Sequence, residues 1–100
     1  MLLVALVEEK AIAIARLNLD PYSHNPLVAR LRHLSVGSAW RKRGVGKLLV
    51  SQIVHKASQD HEILTLRTDN PEADKFYQAL GFDPDSPMLY ATHYLKLNSN

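Results

Sequence analysis

The sequence predicts an α/β domain of the α+β kind, a mixed and mostly antiparallel sheet flanked by two helices. Three observations carry this. The first 36 residues fall into three strand-like runs separated by turn formers. A helical apolar pattern beginning at Gly44 sits between the strand-like runs 27–36 and 63–68, and strand–helix–strand order implies a parallel pair joined by a right-handed crossover. A second helical pattern opens on Asn70-Pro71 and closes at Gly81.

Residues 1–7, MLLVALV, read as a buried strand, although a continuous apolar run leaves a helix open by periodicity alone. Glu8-Glu9-Lys10 is a short polar turn. Residues 11–19 alternate strand-like, with small residues on one face, and complete an antiparallel hairpin. Residues 20–26, DPYSHNP, form a loop. Residues 27–36 are a third strand whose inward set is either Leu27, Ala29 and Leu31 or Val28, Leu34 and Val36. The alternation slips near Leu31-Arg32, which predicts a bulge. Over 44–58, Val45, Leu48, Leu49, Ile53 and Ala57 recur at helical spacing, with Lys47, Ser51, His55 and Lys56 outward. Residues 63–68 are a short strand. In the next helix Asn70 is the N-cap, Pro71 takes the first position, and Ala73, Phe76, Tyr77 and Leu80 share one stripe. Asp83-Pro84-Asp85-Ser86-Pro87 is a turn, and residues 88–97 are expected as a last strand followed by a polar tail. No repeat or linker interrupts residues 1–100, which read as a single domain.

Composition narrows the function. The chain has 46% apolar and 22% charged residues, ordinary for a folded domain of 100 residues. Net charge is only +2, yet Arg30, Arg32, Arg41, Lys42, Arg43 and Lys47 fall within eighteen residues that hold no acid. That concentration suits a polyanionic ligand, a nucleotide-like cofactor or nucleic acid. There is no cysteine, which excludes disulfides, cysteine–zinc sites and a cysteine nucleophile. His24, His55, His61 and His93 lack a metal-ligand spacing with nearby acids. The opening residues lack the basic flank and cleavage site of a signal peptide, and no run approaches the ~20 apolar residues of a membrane span. A cytoplasmic protein without a membrane partner is expected.

The stretch 34–49, LSVGSAWRKRGVGKLL, organises the rest. A strand ends at Gly37-Ser38, and a basic turn punctuated by glycine feeds into a helix. The first N–H groups of a helix have no internal partner, and the macrodipole places partial positive charge there. Gly44 and Gly46 let a phosphate approach the backbone without a Cβ in the way. Four cations at a helix start oppose the macrodipole by about 0.3–1 kcal/mol each unless an anion is bound. The alternative is a solvated basic face with Gly44 easing the turn. The local conflict favours a pyrophosphate site.

Two motifs carry a family resemblance. Arg41-x-x-Gly44-x-Gly46 after a strand resembles the acetyl-CoA motif of the GNAT N-acetyltransferase superfamily. Asn70-x-x-Ala73-x-x-Phe76-Tyr77-x-x-x-Gly81-Phe82 resembles that family's second signature, in the right order, and the likeness runs over residues 1–97. The resemblance implies the GNAT-like sheet and an acetyl-CoA site. Backbone N–H groups from Arg43 through Gly44, Val45 and Gly46 to Lys47 would cradle the pyrophosphate, with Arg41 and Lys42 near the phosphates. A strand bulge would turn N–H groups near Leu34 and Val36 toward the thioester. It further implies that Tyr77 protonates the departing thiolate, a nearly balanced transfer for a phenol near 10 and a thiol near 8.5, and that Asn70 bonds the pantetheine besides capping its helix. The alternative for Tyr77 is a packed core aromatic.

The base is unassigned. His33 is chemically competent, since histidine titrates near neutrality, but a strand-surface histidine is the plainer reading and water alone suffices. Trp40 either stacks on an adenine or anchors its turn. The family's usual first strand and two helices, which wall the acceptor side, have no counterpart here. A minimal member, a segment of a longer protein, or a partner subunit supplying the wall all fit. The expected acceptor is a small-molecule or peptide amine, and an uncovered apolar side predicts a homodimer. A non-catalytic CoA-binding or assembly module is the main alternative. Nucleic-acid binding would leave the second motif unexplained.

Overall fold

Glu8 and Glu9 both hold left-handed backbone, φ 49° and 68°. This is the pair of conformations that a two-residue hairpin needs to match right-twisted strands. They join β1 (Leu2–Val7) to β2 (Lys10–Leu19) in the computed structural model, which describes residues 1–97. The polar tail expected after residue 97 lies outside the described residues. The sheet continues with β3 (Val28–Val36), β4 (Ile63–Leu66) and β5 (His93–Lys96) in the order β1-β2-β3-β4-β5. Only the β3–β4 pair is parallel. The crossover between them is α1 (Val45–Asp60), and α2 (Pro71–Ala79) joins β4 to the last strand. This is the predicted α/β fold, a mixed five-stranded sheet with two helices.

One core joins these elements. Ala13, Ala15, Leu17, Ala29, Leu31, Leu64 and Leu66 from the sheet meet Leu49, Val50, Ile53 and Ala57 of α1, with Tyr77, Phe82 and Leu97 completing the cluster. The α1 stripe differs from the expected one: Leu48 is 61% exposed and Val50 is buried. At about 3.6 residues per turn, Leu48 stands on nearly the opposite side from the centre of a stripe made by Leu49, Val50, Ile53 and Ala57. Among the described residues no helix is long and apolar enough to cross a membrane.

The two alternative inward sets of β3 are each half right, and a bulge explains why. Arg16 faces Arg32, whereas Ile14 faces Ser35, so His33 and Leu34 together stand opposite Ala15. His33 absorbs the extra residue with φ 56°. The bulge lies one to two residues beyond the expected slip at Leu31-Arg32. Because side chains alternate with period two, one inserted residue switches faces. Ala29 and Leu31 therefore point into the core before the bulge, and Leu34 and Val36 pack on it after.

The last strand is shorter than the expected 88–97. Tyr90 is left-handed at φ 59°, and its carbonyl accepts a hydrogen bond from Arg30 Nη2 at 2.6 Å. Ala91 N–H turns back to Met88 O, so regular pairing starts only at His93. Arg30 is itself buried, 3.6 Å from Asp20 Oδ2 and beneath the Tyr22 ring. Asp20 in turn accepts from the Thr65 hydroxyl and the Tyr22 N–H. A buried arginine requires such partners, and here they tie loops 20–26 and 84–92 to the β3–β4 junction.

Candidate active site

The parallel pairing of β3 with β4 runs only from Val28–Ile63 to Arg30–Thr65. Beyond it the strands part, and the bulged half of β3 has no strand partner on that side. Gly37 N–H donates to Ile12 O across the β2–β3 ladder at 2.7 Å. Antiparallel bonding alternates, so the main-chain groups of Val36 and Leu34 turn the other way, into the opening. Arg41 Nε meets Val36 O there at 3.2 Å.

Two adjoining cavities line the opening. One, about 730 Å³, runs along Leu34, Ser35 and Val36 to Trp40, Arg41, Lys42, Gly44, Gly46 and Lys47 on one wall and Asn70, Glu72, Ala73, Lys75 and Phe76 on the other. The second, about 560 Å³, is lined by Arg32, His33, Leu34, Arg67, Thr68, Asn70, Ala73 and Tyr77 among others. Leu34, Asn70 and Ala73 belong to both. The structure thus brings the glycine turn, the bulge, Asn70 and Tyr77 to one groove; Arg43 and Val45 lie in the turn beside it.

The α1 start is built as the sequence suggests. Gly44 takes φ 81° as N-cap, with no side-chain capping bond and no acid in the first turn. A Cβ on Gly44 would meet no atom within 4 Å, so the approach to these N–H groups is open. Gly46 has a second role: a Cβ there would touch Phe76 at 3.5 Å and Val36 at 3.6 Å, so its smallness lets α2 close on the turn. Arg41, Lys42, Arg43 and Lys47 are exposed. Arg43 lies over the Trp40 ring, 4.6 Å from its centroid, which assigns Trp40 at least one structural duty. An uncapped helix start with open backbone donors and four cations has the chemistry to hold a pyrophosphate.

Asn70 is the cap of α2, its Oδ1 accepting Glu72 N–H at 2.9 Å. Tyr77 is 6% exposed, stacked edge-on between Phe76 and Phe82. Burial pushes its phenol up to about 12. The expected near-balance with a thiol therefore needs correction: against a thiol near 8.5 in water the proton transfer is uphill. It comes closer to level only if the same dry surroundings raise the thiol too. His33 is exposed on the bulge and lines the Tyr77 cavity.

Sequence reasoning missed the support behind Tyr77. His93, buried, joins Asp74 Oδ1 through Nε2 at 2.8 Å and Thr92 Oγ1 through Nδ1 at 2.7 Å, and Thr92 Oγ1 accepts the Thr68 N–H. The imidazole lies 6.1 Å from the Tyr77 ring, centroid to centroid. This chain clamps α2 to β5. Asp74 is held below the ordinary aspartate value, first by the Gln78 amide and then by His93. The i, i+4 spacing of Asp74 and Gln78 is visible in sequence; the His93 contact is not.

The groove and its motifs define a class, and comparison with known proteins names it. Residues 1–84 match the model of the acetyltransferase (GNAT) domain. The chain belongs to the GNAT acetyltransferase family. It is 30% identical to a solved protein from Exiguobacterium sp. 255-15, with a TM-score of 0.80 over 95% of this chain and 61% of that one. Tetrahymena GCN5 shares the fold at 18% identity, TM-score 0.81, over 99% of this chain and 69% of that one. Mycothiol acetyltransferase of Corynebacterium diphtheriae is 40% identical over 52 residues, covering 49% of this chain and 17% of that protein. The chain thus spans about three fifths to two thirds of the length of these solved relatives and about a sixth of the mycothiol acetyltransferase.

Proposed function

We propose that this chain is a single acyl-CoA-binding domain that transfers an acetyl group from acetyl-CoA to a primary amine in the cytoplasm. One observation supports this above the others: beside the opening between β3 and β4, a cavity at the uncapped start of α1 and a cavity at Tyr77 share Leu34, Asn70 and Ala73 as common walls. Backbone N–H groups from Arg43 to Lys47 hold the pyrophosphate, aided by Arg41 and Lys42. Main-chain N–H groups of Leu34 and Val36 polarise the thioester carbonyl in this reading. Bound there, acetyl-CoA supplies the activated acyl group. The amine nitrogen bonds to the acyl carbon as the carbon–sulfur bond breaks, the Tyr77 hydroxyl gives its proton to the leaving sulfur, and the second proton that the nitrogen sheds on becoming an amide returns to the Tyr77 oxygen, directly or through water. The ammonium proton must leave first, and His33 is the residue lining that cavity suited to take it.

Calorimetric titration with acetyl-CoA tests the binding step. We expect micromolar affinity in the wild type and none in Gly46→Glu, whose carboxylate occupies the pyrophosphate position. Thiol release with an amine panel then tests transfer, with Tyr77→Phe as the variant expected to lower kcat. No binding to the folded wild type would sink the reading.

A second reading is a CoA-binding module without turnover. It is favoured by the absence, among the described residues, of any carboxylate lining the Tyr77 cavity. Turnover of any amine excludes it. Leu2, Val4, Leu6 and Ile14 expose an apolar strip on the sheet face away from α1, which a homodimer would cover. A monomer by sedimentation at micromolar concentration would remove that element.

A further inference from the structure

The Tyr77 cavity continues onto the sheet face turned away from α1. A shallow hollow there is lined by Ile14, Arg16, Asn18, Arg32 and His33, and it shares Arg32 and His33 with the cavity. Arg16 and Arg32 are direct partners in the β2–β3 ladder, so two guanidinium-bearing residues stand opposite each other on one face. Like charges in that relation destabilise an antiparallel pair. Among the described residues neither has an acid at ion-pair distance, and no carboxylate lines the hollow or the cavity. Arg67, exposed at the end of β4, adds a third positive charge to the cavity rim.

Arg30, two residues before Arg32 on the same face, shows how this chain treats an arginine that serves the fold. It is buried, paired with Asp20, bonded to Tyr90 O and stacked on Tyr22. Arg16 and Arg32 receive none of this. A local conflict left uncompensated beside a catalytic cavity points to a ligand that resolves it, and the guanidinium fork suits carboxylate and phosphate oxygens.

We propose that the acceptor is a small amine carrying its own anionic group, a carboxylate or a phosphate, which Arg16 and Arg32 hold while the amine enters the Tyr77 cavity. This rests on the acetyl-transfer reading above. The same positive field disfavours polyamines and lysine-rich peptides.

The test uses the full chain with four probes: glutamate, 2-aminoethylphosphonate, glycinamide and spermidine. Their binding to the acetyl-CoA-loaded protein is measured by calorimetry, and their turnover by thiol release. The two anionic amines are expected to show a Kd or KM about 10- to 100-fold below that of glycinamide. Arg32→Gln removes this advantage, and Arg32→Lys retains part of it. Relief of the like-charge pair makes both Arg16→Gln and Arg32→Gln at least as heat-stable as the wild type, so lost binding is not lost folding. An anionic preference without thiol release supports the anion site while the acetyl-transfer reading falls. Turnover that favours glycinamide or spermidine, or shows no preference, overturns the proposal and leaves acetyl transfer standing. No binding of any of the four also overturns it.

Discussion

The two helix starts in this chain are opposites. At α2, Asn70 caps the first turn, Pro71 fills the position where an N–H would be idle, and Glu72 and Asp74 complement the macrodipole. At α1, a left-handed glycine stands where a capping side chain would be, no acid follows, and cations surround the turn. The chain therefore contains the full chemistry of a stable helix start and withholds it at one place. On the proposed reading, an anionic ligand supplies from outside what α1 lacks internally.

This contrast can be broken by exchange. The largest effect is expected from Gly46→Glu, which gives α1 the first-turn acid that α2 has. Acetyl-CoA affinity should fall by about 100-fold or more, and because a side chain at Gly46 meets Phe76 and Val36, the melting temperature is measured beside it to separate lost binding from lost packing. A variant that still binds would show that the α1 start is not the anion site.

Next comes the loss of the α2 cap. Asn70→Ala should cost about 1 kcal/mol, seen as a fall in Tm of about 4–8 °C for a domain of this size. Asn70→Ser restores a capping oxygen without the amide. Stability regained together with weaker acetyl-CoA binding would show that the amide also serves the ligand.

Smaller effects follow from protons. Asp74 has a folded-state pKa below its ordinary value of 3.8. Its stabilising contribution is therefore present above that value and lost as pH falls through the depressed one. Asp74→Asn should flatten the acid limb of a Tm–pH curve slightly, and an unchanged limb would mean the Gln78 and His93 contacts are thermodynamically idle. Tyr77 behaves in the opposite sense. With its phenol raised to about 12, its contribution is full below the ordinary value near 10 and declines as pH rises from 10 toward 12. Tyr77→Phe should remove that alkaline decline.

The parts legible in sequence are those set by neighbouring residues. Asn70-Pro71 and Gly81 announce both ends of α2, and Gly81 does take φ 98°. The glycine turn is readable because glycine, cations and the missing acids are adjacent. The slip in β3 was visible, but not that it switches the inward face between Leu31 and Leu34. That outcome depends on the register with β2. Leu48 misled because two neighbouring apolar residues compete for one stripe and only the sheet decides between them. Arg30 with Asp20 and Tyr90, and Asp74 with His93, were illegible. Their partners lie 10 to 60 residues apart, and no local pattern announces a buried pair.

The Arg30 clamp also orders events during synthesis. A chain elongated only through Phe82 already contains both motifs and the whole glycine turn. It still lacks Tyr90, whose carbonyl takes the Arg30 guanidinium, and His93, which fastens α2. Until those residues emerge, a charge destined for burial has Asp20 and the Tyr22 ring to meet it but not the Tyr90 carbonyl. Contacts this distant in sequence close slowly. The groove is thus assembled from residues up to α2 and locked by Tyr90 and His93, so a ribosome-bound chain stalled before Tyr90 should carry every residue of the glycine turn and not yet hold the groove shut.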